Sequence, residues 1–174
     1  TSSEAGGLMA VRPVLALPDP FLQRPSATVG AVDDAALALA TDLLDTMRSR
    51  PACVGLAAPQ IGVGRRAFAI DVTGHRKARS CAGELVLFDP VLVSAANPVM
   101  GREGCLSIPD LTGDVARATE VVVRGLAVDG TERMLEADAF EARALLHELD
   151  HLGGFLFLDR VASPHSVYRR KVYR

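Results

Sequence analysis

The sequence predicts an α+β fold. Three observations carry that expectation: an N-terminal segment with helical apolar spacing, a long middle region rich in β-formers, and a second helical segment near the C-terminal end that carries two histidines and two acids.

The chain has 174 residues, a length that fits one domain over 1–174, or at most a domain with an appendage. Hydrophobic residues make up 49% and charged residues 23%, the balance of a globular rather than a disordered chain. Nineteen basic and 21 acidic residues give a net charge of −2, so affinity for nucleic acid through bulk electrostatics is not expected. Aromatics are 5% and Trp is absent, which leaves little to stack unpaired bases. No apolar run approaches the roughly 20 residues that span a bilayer, so no membrane partner is expected. Cys53, Cys81 and Cys105 are odd in number and lack CxxC spacing, unlike a disulfide framework. A reducing, cytoplasmic location is the simpler expectation, with an organelle as the alternative. Cys53 and Cys81 read as small buried apolar residues. Residues 1–7 are small and polar, without the apolar centre of a secretory signal. Residues 1–8 read as a tag remnant or disordered extension, with Met9 as the natural start.

Taken in order, the Leu17-Pro18-Asp19-Pro20 stretch is an extended entry with turns. Leu37, Ala40, Leu43, Leu44 and Met47 follow at helical spacing and predict a helix over 34–48. Asp33 and Asp34 at its start and Arg48 at its end suit the macrodipole, and Pro51 closes it. Residues 67–72, 85–88 and 120–128 read as strands. Asp129-Gly130 is a hairpin turn into a further strand over 131–137. The polar, basic stretch 73–83 reads as a surface loop. A second helix is expected over 139–152, with His147, Glu148 and His151 on one broad face and Leu145, Leu149 and Leu152 continuing an apolar flank. Such a helix is central and buried. Gly153-Gly154 ends it, 155–158 reads as strand-like, and a basic end follows with Arg169, Arg170, Lys171 and Arg174.

His147-Glu148-Leu149-Asp150-His151 is the most informative segment. Residues i and i+4 share a helix face, so both imidazoles reach one ion, and Glu148 is placed to act as general base on a water there. A solvated face with two His and two acids is the bland alternative, and the apolar flanks speak against it. A catalytic site needs a third protein ligand and an open position. Neither usual metalloprotease extension is present: Phe157 stands where a third His would be, and no Glu follows Glu148. The third ligand therefore lies upstream or is His165. Cys105 is the strongest candidate, in a stretch bounded by Gly101, Gly104 and Pro109 that reads as an exposed turn or strand end. His75 and His165 read as solvated surface residues. The small and apolar stretch from Cys53 to Gly62 permits close approach of a ligand to backbone, and its Gln60 amide is a donor for a developing oxyanion. A tight turn packed in the core would look the same.

Together the stretch from Gly55 to Gln60 (GLAAPQ), the stretch from Glu103 to Ser107 (EGCLS) and the HELDH segment resemble the three signature motifs of the peptide deformylase family, in the family's order. The resemblance extends over about 11–160. It implies antiparallel β-sheets wrapped around a central helix carrying HExxH. It implies one divalent ion held by Cys105, His147 and His151, natively Fe2+, with Zn2+, Ni2+ or Co2+ as substitutes. Glu148 would move the protons, the Gln60 side chain and Leu106 backbone N–H would stabilise the oxyanion, and the backbone around Gly55 would hold the substrate, an N-formylmethionyl peptide, as an added strand. The implied reaction releases formate from new polypeptides. The alternatives are a related hydrolase for another N-formyl or small N-acyl substrate, a binding protein without turnover, and a closed structural zinc site. Leu146 and Cys53 depart from the family's common Gln and Gly, and a Cys in that place lines the entrance or simply packs. The basic C-terminal end reads as a solvated end, with a ribosome contact as the alternative.

Overall fold

The computed structural model describes residues 10–171. The expectations placed on residues 1–9 and on Arg174 lie outside the described residues. Helix α1 (Asp34–Arg48) spans the length its periodicity predicts. The Asp33 carboxylate caps it by accepting from the Ala36 N–H at 3.0 Å. Its buried face differs from the expected one. Ala36, Leu39, Ala40, Leu43 and Met47 are buried, while Leu37 is 40% exposed. The small side chains at 36 and 40 let the helix close against Leu56, Ala67, Ala69, Val86 and Phe88 of the sheet, so the contact face centres on them rather than on Leu37 and Leu44.

The strands are β1 (Gly55–Ala57), β2 (Ala67–Ile70), β3 (Leu85–Cys105), β4 (Ile108–Leu126), β5 (Glu132–Asp138) and β6 (Val167–Arg169). They pair antiparallel in the order β1-β2-β3-β4-β5, with β6 joined to β4 beside the far end of the hairpin. Two strands outrun the sequence expectation. Beyond 85–88, β3 continues through Pro90, Pro98 and Gly101 to Cys105. Its pairing with β2 ends at Phe88, so further along β3 is an edge, where a proline's missing N–H costs no ladder bond. Register shifts between Phe88/Val91 and Leu92/Ser94 mark the change. There Asp89, at φ 49°, accepts from the Val29 and Gly30 N–H groups. Likewise β4 begins at Ile108 rather than near 120, because pairing with β3 carries it past Pro109 and Gly113. The hairpin at Asp129-Gly130 is as expected, with Gly130 at φ 82°.

Helix α2 (Ala139–Leu152) packs Ala142, Leu145 and Leu152 on Phe68, Val121, Val123 and Leu135 of the sheet. That brings the HELDH face to the end of β3, where Glu103 meets His147 and Cys105 meets His151. Residues 73–83 form a largely exposed loop, tied to α2 by the Glu141 carboxylate, which accepts from the Ala82 N–H at 2.7 Å. The strand expected over 155–158 is instead a 3-10 helix, Phe157–Asp159. Asp159 accepts from the Leu156 N–H at 2.8 Å, and Leu156 and Phe157 bury themselves beside Leu22, Ile108 and Val115. This apolar run is buried as a plug rather than laid along a sheet. The basic end is not wholly solvated: Val167–Arg169 is a strand on β4. No helix among the described residues is long and apolar enough to cross a membrane.

Candidate metal centre and its cleft

One helical turn on α2 brings His147 Nε2 and His151 Nε2 to 3.2 Å. The end of β3 delivers Cys105 Sγ to 3.3 Å from His151 Nε2. All three ligand atoms lie within 4.8 Å of one another. A tetrahedral ion with Zn–N and Zn–S bonds of ordinary length would set such atoms about 3.3 Å (N···N) and 3.6 Å (N···S) apart. The residues present therefore fit a divalent ion. Facing Nε2 atoms at this distance repel unless a cation or a proton lies between them. His165 is exposed and stands outside the group, as expected of a surface residue.

Cys105 is only 7% exposed, which corrects the expectation of an exposed turn. A two-residue reversal at Leu106-Ser107 pairs Cys105 with Ile108, and Leu156 and Phe157 cover it from behind. Burial alone would raise its thiol, but the imidazoles of His151 and His147 outweigh that and pull it well below its usual range. The thiolate that results is the ligand form.

Glu103 enters the site through contacts that sequence spacing does not predict. Its Oε1 accepts from His147 Nδ1–H at 2.6 Å, which leaves the Nε2 lone pair for the ion. Arg117 binds the same carboxylate through two nitrogens, at 2.8 and 3.1 Å, and Arg143 adds a third contact at 3.1 Å. Arg117 also reaches Asp150 at 2.6 Å, and Arg160 clamps Asp150 from outside. Burial pushes the Glu103 carboxyl up, yet the hydrogen bonds from His147 and Arg117 win and hold it at about 2. The only sequence signals for this network are the acid two residues before Cys105 and Asp150, the second acid of HELDH. Arg117 and Arg143 carry no local signature.

Glu148 is 3% exposed, and its Oε2 has no hydrogen-bond partner among the described residues. Desolvation raises its carboxyl to about 7, against the pull of His147 and His151. Its Oε1 fills the space beside Gly55, where an added Cβ would stand 2.6 Å away. Gln60 sits in a 3-10 helix, Ala58–Ile61, and is 2% exposed. Its Oε1 accepts from the Ala57 N–H at 3.0 Å, and its Nε2 donates to Ser107 Oγ at 3.1 Å with Cys105 Sγ at 3.4 Å. Thus Gly55, Gln60, Cys105, Leu106, His147 and Glu148 line one cleft of about 280 Å³, with His151 buried behind them.

Cys81 and His75 depart from expectation, and Cys53 takes one of its two expected places. Cys81 is exposed, its sulfur 3.5 Å from the Thr73 hydroxyl, while Ala78 and Ala82 of the same loop pack on the core. Cys53 is half-buried at the cleft, its thiol donating to the Gly55 carbonyl at 3.3 Å, and burial pushes it up to about 11. His75 is no free surface residue: it stacks on Phe140 at 3.7 Å between ring centres and lines the cleft. Leu146, in contrast, simply packs against the core around α2.

The family model described as polypeptide deformylase matches residues 11–167. The chain belongs to this family. It is 42% identical over 160 residues to a peptide deformylase of Thermomicrobium roseum, covering 91% of this chain and 90% of that one. The crystal structure of peptide deformylase from Ehrlichia chaffeensis superposes with a TM-score of 0.83 at 30% identity, over 89% of both chains. A class I type b peptide deformylase from Acinetobacter baumannii, crystallised with Met-Ala-Ser bound, gives 0.77 at 31% identity, over 87% of this chain and 98% of that one. Peptide deformylases are metal-dependent enzymes, and Cys105, His147 and His151 are the candidate ligand group of this member.

Proposed function

We propose that residues 1–174 act as one catalytic domain that removes the formyl group from the N-terminal formylmethionine of new polypeptides, releasing formate. The observation that supports this best is the convergence of a thiolate, two imidazole nitrogens and an unpartnered buried carboxylate on one cleft. Cys105, His147 and His151 would hold the ion, with Fe2+ as the native metal and Zn2+, Ni2+ or Co2+ as substitutes. Bound there, the ion supplies Lewis acidity: it polarises the formyl carbonyl and makes water easier to deprotonate.

The chain's own residues do the rest. Glu148 takes a proton from the attacking water and passes it to the leaving amine, a double task open to a buried carboxylate whose Oε2 no other described side chain ties up. The Gln60 amide and the Leu106 backbone N–H stabilise the charge that develops on the formyl oxygen. Gln60 presents N–H rather than carbonyl because its Oε1 is held by the Ala57 N–H. The outer edge of β1 at Gly55 and the free edge of β3 at 101–105 flank the cleft, and an extended peptide fits between them as an added strand. A peptide of the class bound by the Acinetobacter enzyme suits that slot. The bacterial cytoplasm is the location that goes with this reading, and ribosome contact through the basic end, where Arg169 and Lys171 are exposed, is a secondary reading.

The test is formate release from formyl-Met-Ala by protein loaded with metal under anaerobic conditions. Turnover is expected, and Glu148→Gln is expected to lower kcat by about 10²-fold or more while the metal stays bound. Absence of formate with the metal in place would overturn the reading. A panel that varies the acyl group and the first side chain separates this substrate from other small N-acyl amides.

A further inference from the structure

The cleft has a cationic rim whose guanidinium groups neither the ligand set nor the general base uses. Strand β6 pairs Val167–Arg169 with Leu111–Gly113 of β4, and the Arg170 N–H donates to the Asp110 carbonyl at 2.8 Å. The chain leaving β6 is thereby held beside the β3–β4 hairpin. The Arg170 guanidinium lies over Gly104, next to Cys105, so closely that a Cβ there would stand 2.5 Å from its Nη2. Arg102 flanks it on β3, stacked on Tyr168 at 3.9 Å and paired with Asp114 at 2.9 Å, and both arginines line the cleft.

The local charge does not balance. The acids lining the cleft are Glu103 and Glu148. Glu103 is consumed by Arg117, Arg143 and His147, and Glu148 faces the reacting centre. Among the described residues Arg170 makes no ion pair. A chain of net charge −2 therefore keeps an uncommitted guanidinium at the mouth of its cleft. An extended peptide advances about 3.3 Å per residue, so one running the roughly 10 Å along the edge from Cys105 toward Arg102 passes under Arg170 at its second residue, and brings its third between the two arginines and its fourth beside Arg102.

We propose that Arg170, seconded by Arg102, forms a subsite that selects formyl peptides carrying acidic side chains at the third and fourth residues. This rests on the deformylase reading above. The experiment compares kcat/KM for formyl-Met-Ala-Glu-Glu, formyl-Met-Ala-Ser-Ser and formyl-Met-Ala-Lys-Lys, with formyl-Met-Ala as the reference that lacks the extension. At low ionic strength the acidic peptide is expected to exceed the basic one by about fivefold, the scale of exposed charge pairs. In wild-type protein the ratio should fall toward one in about 1 M salt, where screening reaches within a few ångströms. Arg170→Glu should invert the ratio and Arg170→Lys should keep its sense. Equal rates for the three peptides, or a ratio that Arg170→Glu and salt leave unmoved, would overturn the subsite while formyl-Met-Ala is still turned over. No formate even from formyl-Met-Ala would instead remove the deformylase reading, and the subsite with it.

Discussion

His147 is oriented by a carboxylate on a neighbouring strand. The 2.6 Å contact between its Nδ1 and Glu103 sets the tautomer, and Arg117 and Arg143 keep Glu103 ionised in a nearly dry place. Glu103→Gln removes the charge but not the shape. Metal affinity is expected to fall about 10- to 100-fold, read as faster loss of metal to a competing chelator. At Glu148 the linkage has the opposite sense from that at Glu103. Its folded carboxyl is raised to about 7 from an ordinary 4.5, so between those values the folded state holds a proton that the unfolded chain has released. The burial is harmless below pH 4.5, and its cost grows as pH rises to about 7 and is full above. Chelated Glu148→Gln protein is therefore expected to be more stable than chelated wild type at pH 8, by up to about 3 kcal/mol, and equal to it near pH 4. Urea unfolding at the two pH values checks this. The general base is a site where stability has been given up for reactivity.

The elements matter through where they end. Strand β3 stops at Cys105, and α2 offers His147 and His151 one turn apart, so the ligand set is assembled from a strand end and a helix face. Strand β1 closes the third side, and it can approach α2 because Gly55 has no side chain. Gly55→Ala would put a methyl group 2.6 Å from Glu148 Oε1. Either β1 retreats or Glu148 turns away from the cleft. Turnover is expected to fall by about 10-fold or more, the scale of a misplaced general base, while metal content stays at wild-type level. Measuring formate release beside metal content separates this from a folding defect. Helix α1 plays no direct part in the cleft. It holds β2 and β1 from the far side through Ala36, Leu39, Ala40 and Leu43.

For the molecule as a whole, the buried ion pairs join three elements. Arg117 on β4 bridges Glu103 on β3 and Asp150 on α2. Arg117→Ala would leave two carboxylates with reduced compensation in the interior and is expected to cost about 3–5 kcal/mol, read by chemical denaturation. Helix periodicity, the Asp-Gly hairpin and the HELDH spacing were legible in the chain because each is set by neighbours a few residues away. So was the pairing of His147 with His151, since i and i+4 on a helix share a face whatever surrounds them. What lay beyond reach depends on partners distant in sequence. The path of β3 through two prolines follows from β2 ending beside it. The burial of Cys105, the plug at Phe157, the stacking of His75 on Phe140 and the placing of Arg170 over Gly104 each need a second segment from elsewhere in the chain. Local order identified the kind of site; long-range packing alone decided how its thiol is shielded, which carboxylate steadies its imidazole and what charge stands at its mouth, because desolvation and Coulomb fields depend on what is near in space.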